Sequence, residues 1–297
     1  MMADLLSGQL LVATLVLGAV YGLVALGLNL IYGTMRLLNV AHGEILMLGG
    51  YLAYWSFTLT GVGPVYSMFV AMVLAAVLGA GVYHYLCRRV LQTSKLVEQI
   101  EANSLLVLFG VSIILQNVIA LSFTATARAY PYLDQIIQFG TFQVTANRLV
   151  VLAIGLVVCL ACVVFFRLSL TGLAIRALIQ QPDAAALVGI NVERTRLISF
   201  SLGFAIAGLA GCLISMLEQV SPFMGFPFTI AAFVVIILGG LGNLFGGLAG
   251  ALLLAVIEVY GVAVTSTSMR SILIYGVFIG VLVWRPRGLF GIQGAVR

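Results

Sequence analysis

Charged residues are scarce in this sequence. Asp, Glu, Lys and Arg together make up 8% of its 297 residues, whereas 63% are hydrophobic. A typical soluble domain carries about 25% charged residues. A water-soluble fold of this size could not cover so many apolar side chains, and it would aggregate. The composition therefore excludes an ordinary soluble protein and predicts one for which the lipid bilayer is the solvent.

Motifs of several enzyme classes are also absent. The sequence has no Gly-x-x-x-x-Gly-Lys-Ser/Thr loop for ATP phosphates, no His-Glu-x-x-His zinc motif and no Gly-x-Ser-x-Gly nucleophile motif. Its four cysteines, Cys87, Cys159, Cys162 and Cys212, lie in or beside apolar runs without further ligands nearby. We therefore expect buried, inert thiols, no metal site and no catalytic site. The net charge of +5 is a topology signal and does not indicate a nucleic-acid partner.

Long apolar runs are the dominant feature of the chain. They are continuous rather than alternating, which favours helices over a β-barrel, and most reach the ~20 residues needed to cross a bilayer. The segment at 228–241 is short and ends in a Gly-Gly-Leu-Gly-Asn break, as expected of a half-helix or a re-entrant element. The sequence thus predicts an all-α polytopic membrane protein with eight or nine transmembrane or re-entrant helices, in a single membrane domain over 1–297. The apolar segments lie at about 9–33, 38–59, 64–86, 103–123, 149–166, 197–218, 228–241, 244–264 and 269–284.

Basic residues are unevenly distributed between the predicted connections. Under strict alternation of the segments, eleven fall on one side of the membrane and three on the other. Cytoplasmic connections carry the excess of Lys and Arg, so the richer side, with the C-terminus, is predicted to be cytoplasmic. The eleven are Arg36, Arg88, Arg89, Lys95, Arg167, Arg176, Arg194, Arg196, Arg285, Arg287 and Arg297, and the three are Arg128, Arg148 and Arg270.

The cytoplasmic connection at 167–196 has a pattern of its own. Pro182 followed by Asp183 and three alanines predicts a helix start, since proline presets φ and aspartate complements the helix dipole. Gly189 and Asn191 predict its end. A compact helix in this loop is interpreted as a docking element for a cytoplasmic partner, in preference to a plain connector.

Ionisable residues inside the apolar segments indicate function by default, because they are costly in a membrane. His42 and Glu44 are predicted just inside the membrane near its cytoplasmic face, with Asn39 as a possible helix cap. Two readings stay open for them: a pathway or gate element, or buried groups satisfied by neighbours. Glu258 either lines a pathway or pairs with another helix, and Glu218 is predicted at a solvated helix end. The candidate pathway or gate residues are Asn29, Asn39, His42, Glu44, Asn243 and Glu258.

Glycines recur four residues apart in two regions. Small residues at this spacing let helix backbones approach closely in lipid. An unwound backbone at 239–243 is tolerated at membrane depth only where it is buried or lines a cavity. Packing and gating explain these glycines equally well. The candidate packing residues are Gly18, Gly22, Gly242, Gly246 and Gly250.

Several motifs, in order along nearly the whole chain, resemble the branched-chain amino acid permease family of ABC importers. Asp183-Ala184-Ala185 with Gly189 is similar to the Glu-Ala-Ala…Gly loop of ABC importer permeases, with Asp in place of Glu. The length is similar to that of the shorter permease subunit type. The other motifs are Gly-Leu-Asn-Leu-Ile-Tyr-Gly at 27–33, Asn-Val-Ala-His-Gly-Glu at 39–44, Gly-Gly-Tyr at 49–51, Gly-Leu-Ala-Ile-Arg-Ala at 172–177, Leu-Gly-Gly-Leu-Gly-Asn at 238–243 and Arg-Pro-Arg-Gly-Leu-Phe-Gly at 285–291.

The resemblance implies a membrane-spanning permease subunit that is not itself an enzyme. A second permease subunit, homologous or identical, would complete the pore in a bacterial cytoplasmic (inner) membrane. Two cytoplasmic ATPase subunits would bind ATP and Mg, and an external solute-binding protein would deliver small amino acids, branched-chain or hydrophobic, or related solutes. The residues implied in ATPase coupling are Arg176, Asp183, Ala184, Ala185 and Gly189. The alternative is a stand-alone proton-coupled carrier that uses Glu44 or Glu258.

Overall fold

The structure is a computed structural model that describes residues 8–94, 96–140, 142–285 and 288–289. Lys95, Arg287 and Arg297, which entered the charge count, lie outside the described residues. The helices within this part are α1 (Gly8–Met35), α2 (His42–Thr60), α3 (Pro64–Val82), α4 (Arg88–Thr93), α5 (Val97–Phe123), α6 (Ala146–Leu168), α7 (Leu170–Gln180), α8 (Pro182–Leu187), α9 (Val192–Ile214), α10 (Gly225–Gly239), α11 (Leu244–Val264) and α12 (Arg270–Trp284). A π-helical turn joins α3 to α4, and a 3-10 turn precedes α12.

Seven helices in the described part of the chain are long and apolar enough to cross a membrane. They are α1, α3 continued through α4, α5, α6, α9, α11 and α12 with its preceding turn. Helix α2 has 19 residues and is less apolar, and α10 has only 15. The prediction of an all-α polytopic membrane protein is confirmed, and the short helix expected at 228–241 is α10.

Helices α1 and α9 form the centre of the bundle. In their most apolar 18-residue windows, 67% of α1 and 78% of α9 is buried, against 22% for α5 and α6. Helix α9 packs against α2, α3 and α1, while α1 also packs against α6, α10 and α11.

Glycines set the close approach of α9 to its neighbours. A Cβ on Gly203 would lie 2.7 Å from the Gly27 carbonyl oxygen of α1. A Cβ on Gly211 would overlap the Leu46 carbonyl oxygen of α2, and one on Gly49 would overlap that of Gly208. Helix backbones this close in lipid are held by van der Waals packing that larger side chains would prevent.

Helix α2 begins deeper than the sequence predicts. After α1 ends at Met35, residues 36–41 turn back along it, starting at Arg36 with φ +57°. The His42 Nε2 atom lies 3.1 Å from the carbonyl oxygen of Val24. Val24 is eleven residues before the end of α1, or ~16 Å along the helix axis. The expectation that His42 and Glu44 sit just inside the cytoplasmic face is therefore wrong, because the chain re-enters the bundle before α2 starts.

The helix bundle has an arginine-rich end and an opposite end, which the contacts between helix ends identify. At the arginine-rich end, Arg88 pairs with Glu193 at 2.7 Å, and the Arg167 guanidinium lies 4.6 Å from the centre of the Phe245 ring. The connection at 167–196 lies at this end. The two-sided distribution of basic residues expected from the sequence thus corresponds to two spatially distinct ends.

The opposite end carries a short hairpin that the sequence analysis missed. Strands β1 (Ile136–Phe139) and β2 (Phe142–Thr145) pair antiparallel, with Ile136 opposite Thr145. The preceding residues are fastened to the segment after α9 by a backbone bridge between Arg128 and Val220. A four-residue strand of this kind leaves too little periodicity to be recognised in a connection of this length.

Candidate functional site

The connection between α6 and α9 folds into two short helices. The Ser169 hydroxyl accepts a hydrogen bond from the Gly172 N–H (2.9 Å) and caps α7. Helix α8 begins at Pro182, as predicted, and the chain leaves it through Gly189, whose φ is +86°. The Asn191 side chain then accepts from the Arg194 N–H (2.9 Å) and caps α9. Local sequence signals therefore define each turn of this loop.

Helix α8 presents an apolar tip to solvent. Leu187 and Val188 are 89% and 75% exposed, and Asp183 and Ala184 are exposed beside them. Ala185 alone points into the protein, where it is 3% exposed. The sequence predicted this helix, but Leu187 and Val188 were not among the predicted coupling residues, although an apolar pair in a connection between membrane segments is a recognisable signal.

The remaining coupling candidate, Arg176, lies on α7 and not on the exposed tip. It is half-buried, and its Nη2 atom is 3.4 Å from the Arg167 carbonyl oxygen at the end of α6. On the same helix, Ile179 lies where side chains on Gly33 or Gly242 would touch it. Helix α7 therefore connects the loop to α1 and to the break between α10 and α11.

Asn29 ties α1 to that break. It is fully buried, its Oδ1 accepts from the Gly242 N–H (2.8 Å), and its Nδ2 donates to the Asn243 carbonyl oxygen (2.8 Å). The Asn243 side chain in turn accepts from the Gly246 N–H (3.0 Å) and caps α11. The two asparagines that were candidate pathway residues therefore come together, and both bond to backbone around the break.

At the start of α2, polar contacts reach three other helices. His42 faces the Val24 carbonyl of α1, and the Gly43 N–H donates to the Thr229 hydroxyl of α10 (2.8 Å). The Glu44 Oε1 atom accepts from the Ser112 hydroxyl of α5 (3.1 Å). A Cβ on Gly43 would overlap the Gly225 carbonyl oxygen, so the N-terminal ends of α2 and α10 meet inside the bundle.

Some polar atoms in this region have no protein partner among the described residues. They are both side-chain polar atoms of Asn39, the His42 Nδ1 atom and the Glu44 Oε2 atom, and all three residues have 0% exposure. Asn39 does not cap α2, whose N-cap position is Ala41 and has no side-chain cap. The predicted cap is wrong because the turn at Asn39–Ala41 places the asparagine before the cap position.

Glu258 pairs with two other helices. Its Oε2 atom accepts from the Tyr21 hydroxyl of α1 (2.7 Å), and its Oε1 atom forms an ion pair with Arg270 Nε at the start of α12. Glu258 is 3% exposed and Tyr21 is 2% exposed. Pairing with another helix, one of the two alternatives left open, is observed, and it fixes α1, α11 and α12 together.

Four of the five candidate glycines lie at contacts between helices, and Gly242 does not. Gly18 and Gly22 face Leu252 and Leu248 of α11, and Gly246 and Gly250 face α10 so closely that a Cβ would meet backbone carbonyl oxygens. Gly242 lies outside the helices, in the break, with φ +82°. Its expected role in helix packing is therefore replaced by a turn conformation that favours glycine.

The chain is similar in sequence to known membrane permeases. The family described as branched-chain amino acid transport system, permease component, matches residues 10–282. The high-affinity branched-chain amino acid transport system permease protein BraD of Pseudomonas aeruginosa is 31% identical, over 95% of each chain. The corresponding permease protein LivH of Escherichia coli is 30% identical, over 93% of this chain and 92% of its own.

A second kind of permease protein is similar as well. LivM of Escherichia coli is 29% identical, over 95% of this chain and 70% of its own. No solved structure matches the chain. Given the family match and the full-length similarity, the chain belongs to the family of permease components of branched-chain amino acid transport systems.

Proposed function

We propose that the chain is the permease subunit of an ATP-driven ABC importer and forms part of the membrane pathway for its solute. The observation that carries this proposal is helix α8, which presents Leu187 and Val188 to solvent at the arginine-rich end. Adjacent exposed apolar side chains beside polar ones are typical of a protein–protein contact. The positive-inside rule assigns this end to the cytoplasm, where an ATPase would be available.

The route for force from the ATPase follows from the contacts of α7. A push on α8 acts on α7, and α7 carries Ile179 against Gly33 of α1 and Gly242 of the break. The break is held to α1 by Asn29. Movement of the loop would therefore be passed to α1, α10 and α11 together, and the close glycine contacts between these helices suit small rigid-body shifts.

The proposed partners follow from the same arrangement. Two cytoplasmic ATPase subunits would bind ATP and Mg, and an external solute-binding protein would deliver the solute to the end that carries the hairpin. A second permease subunit, homologous or identical, would complete the pore. The similarity of this chain to both LivH and LivM supports a pore built from two related chains. The bacterial cytoplasmic membrane is the proposed location.

The proposed solutes are small amino acids with branched or otherwise hydrophobic side chains, or related small solutes. The relatives' names support this class. The rival mechanism is proton coupling through Glu44 or Glu258. The geometry argues against Glu258 in this role, because both of its oxygens already have partners within the protein.

A substitution in the α8 loop tests the coupling role. Gly189→Arg places a bulky cation at a position with positive φ and with nothing within 4 Å of an added Cβ. We expect the variant to lose copurification of the ATPase subunits and to lose solute uptake. Gly140→Arg is the matched control, because Gly140 also has positive φ (+57°) and open space but lies in the hairpin at the other end. If Gly189→Arg retained both ATPase binding and uptake, the docking role of α8 would be wrong.

A further inference from the structure

A cavity of about 400 Å³ opens at the end of the molecule opposite to α8. It is lined by α1 and α11, by the starts of α6, α10 and α12, and by the end of α9 with the segment that follows it. This volume is in the range of small-molecule sites, which are typically ~300–1,000 Å³. Its position at the end where the proposed solute-binding protein docks places it where an incoming solute would meet it.

The cavity wall is apolar apart from Thr267 and four charged side chains. Val16 and Val20 of α1 and Val259 and Val262 of α11 provide facing aliphatic surfaces. The charged side chains are Arg148, Glu218, Glu258 and Arg270. Two cations and two anions on an aliphatic wall match a ligand that carries one charge of each sign and an apolar side chain.

The bonds within the wall decide which charges are available to a ligand. Both oxygens of Glu258 are engaged, one by Tyr21 and the other by Arg270. Arg270 uses its Nε atom in this pair, its side chain is 42% exposed, and a guanidinium has further N–H donors on its two terminal nitrogens. Glu218 and Arg148 are exposed at the ends of their elements. A ligand carboxylate would therefore meet Arg148 and Arg270, and a ligand ammonium would meet Glu218.

We propose that this cavity is an entry site for a zwitterionic amino acid with an aliphatic side chain. Arg148 and Arg270 receive its carboxylate, Glu218 receives its ammonium group, and the valines of α1 and α11 contact its side chain. Tyr21 and Glu258 are positioning residues, because they hold Arg270 in place at the edge of the cavity. The inference rests on the proposed function and adds to it the location and the charge selection of the site.

Binding of L-leucine by the full chain in lipid nanodiscs, measured by titration calorimetry, tests the proposal. Two analogues each lack one charge: 4-methylpentanoate has no ammonium group, and 3-methylbutylamine has no carboxylate. We expect each to bind about tenfold or more weakly than L-leucine, which is the loss of one charge-assisted hydrogen bond. Equal binding of the three compounds would contradict charge selection in this cavity.

Substitutions of two exposed residues test which side chain receives which charge of the ligand. Glu218→Gln should weaken L-leucine binding about tenfold and remove its advantage over 4-methylpentanoate, and Arg148→Gln should reduce its advantage over 3-methylbutylamine, since Arg270 still faces the carboxylate. A general effect on folding would not separate the two analogues in this way. Glu98→Gln and Arg194→Gln are the matched controls, since both residues are exposed at the α8 end.

Different results would contradict the entry site and the proposed function. If Glu218→Gln and Arg148→Gln keep the wild-type affinity and preference while the assembled transporter carries L-leucine with ATP, the entry site is wrong and the proposed function stands. If the wild-type chain binds no L-leucine, the entry site is also wrong. If the chain associates with no ATPase, the proposed function is wrong whatever the cavity binds.

Discussion

Replacing Asn29 tests how the break between α10 and α11 is held at membrane depth. Asn29→Leu keeps the branched shape and the number of heavy atoms of the side chain but removes both of its hydrogen bonds, to the Gly242 N–H and to the Asn243 carbonyl oxygen (2.8 Å each). These two bonds join α1 to a distant part of the sequence, because the partners lie 213 and 214 positions away along the chain. The substitution should therefore loosen α1 from the break.

The magnitude follows from the two bonds. Each hydrogen bond contributes about 0.5–1.5 kcal/mol net, and interhelical bonds in membrane proteins fall at the lower end of such ranges. We expect Asn29→Leu to lower the free energy of unfolding by about 1–3 kcal/mol. Asn29→Asp should cost at least as much, because a carboxylate keeps the acceptor for Gly242 but loses the donor to the Asn243 carbonyl and brings an unpaired charge into a buried site.

Equilibrium unfolding by SDS in mixed micelles, followed by far-ultraviolet circular dichroism, measures this change. Asn117→Leu is the matched control: Asn117 is an exposed asparagine of α5, and its side chain donates to the Ile113 carbonyl oxygen within the same helix (2.8 Å). The control should change stability by less than about 0.5 kcal/mol. If Asn29→Leu were as stable as this control, Asn29 would not hold the break.

Two further predictions concern packing and the Glu258 pair. Gly211→Ala should destabilise the protein by about 1–3 kcal/mol because the new methyl group overlaps a carbonyl oxygen of α2, whereas Gly110→Ala, which meets open space, should be neutral or slightly stabilising in the same unfolding assay. Tyr21→Phe should cost about 1 kcal/mol for one lost hydrogen bond. Glu258→Gln should cost about 1–2 kcal/mol, less than a fully buried pair, because Arg270 is 42% exposed. Additive effects of Tyr21→Phe and Glu258→Gln in the double variant would contradict their coupling.

The sequence predicted the helices whose ends are marked by residues close by in the chain. Helix α8 starts at Pro182 as expected, because a proline followed by an aspartate is a helix start that needs no distant contact. Helix α11 matches the predicted range 244–264, because an apolar run that begins after a glycine break has clear ends. The uneven distribution of basic residues likewise predicted two ends, which the structure separates.

Features that depend on distant contacts were not predictable in the same way. The depth of His42 depends on residues 36–41 turning back along α1, and no local pattern in this part of the sequence predicts that reversal. The bonds of Asn29 join positions more than 200 residues apart. A polar residue that lines a pathway and one that hydrogen-bonds to the backbone of another helix look alike in the sequence. Both are the same residue type in the same apolar run.

Solute uptake into proteoliposomes is the most direct test of the central claim. The chain would be reconstituted with its proposed second permease and ATPase subunits, and the cognate binding protein would supply labelled L-leucine from outside. We predict uptake that requires ATP at the face carrying α8 and that persists when a protonophore removes the proton gradient. Uptake that continued without ATP and collapsed with the proton gradient would contradict the account and would support a proton-coupled carrier.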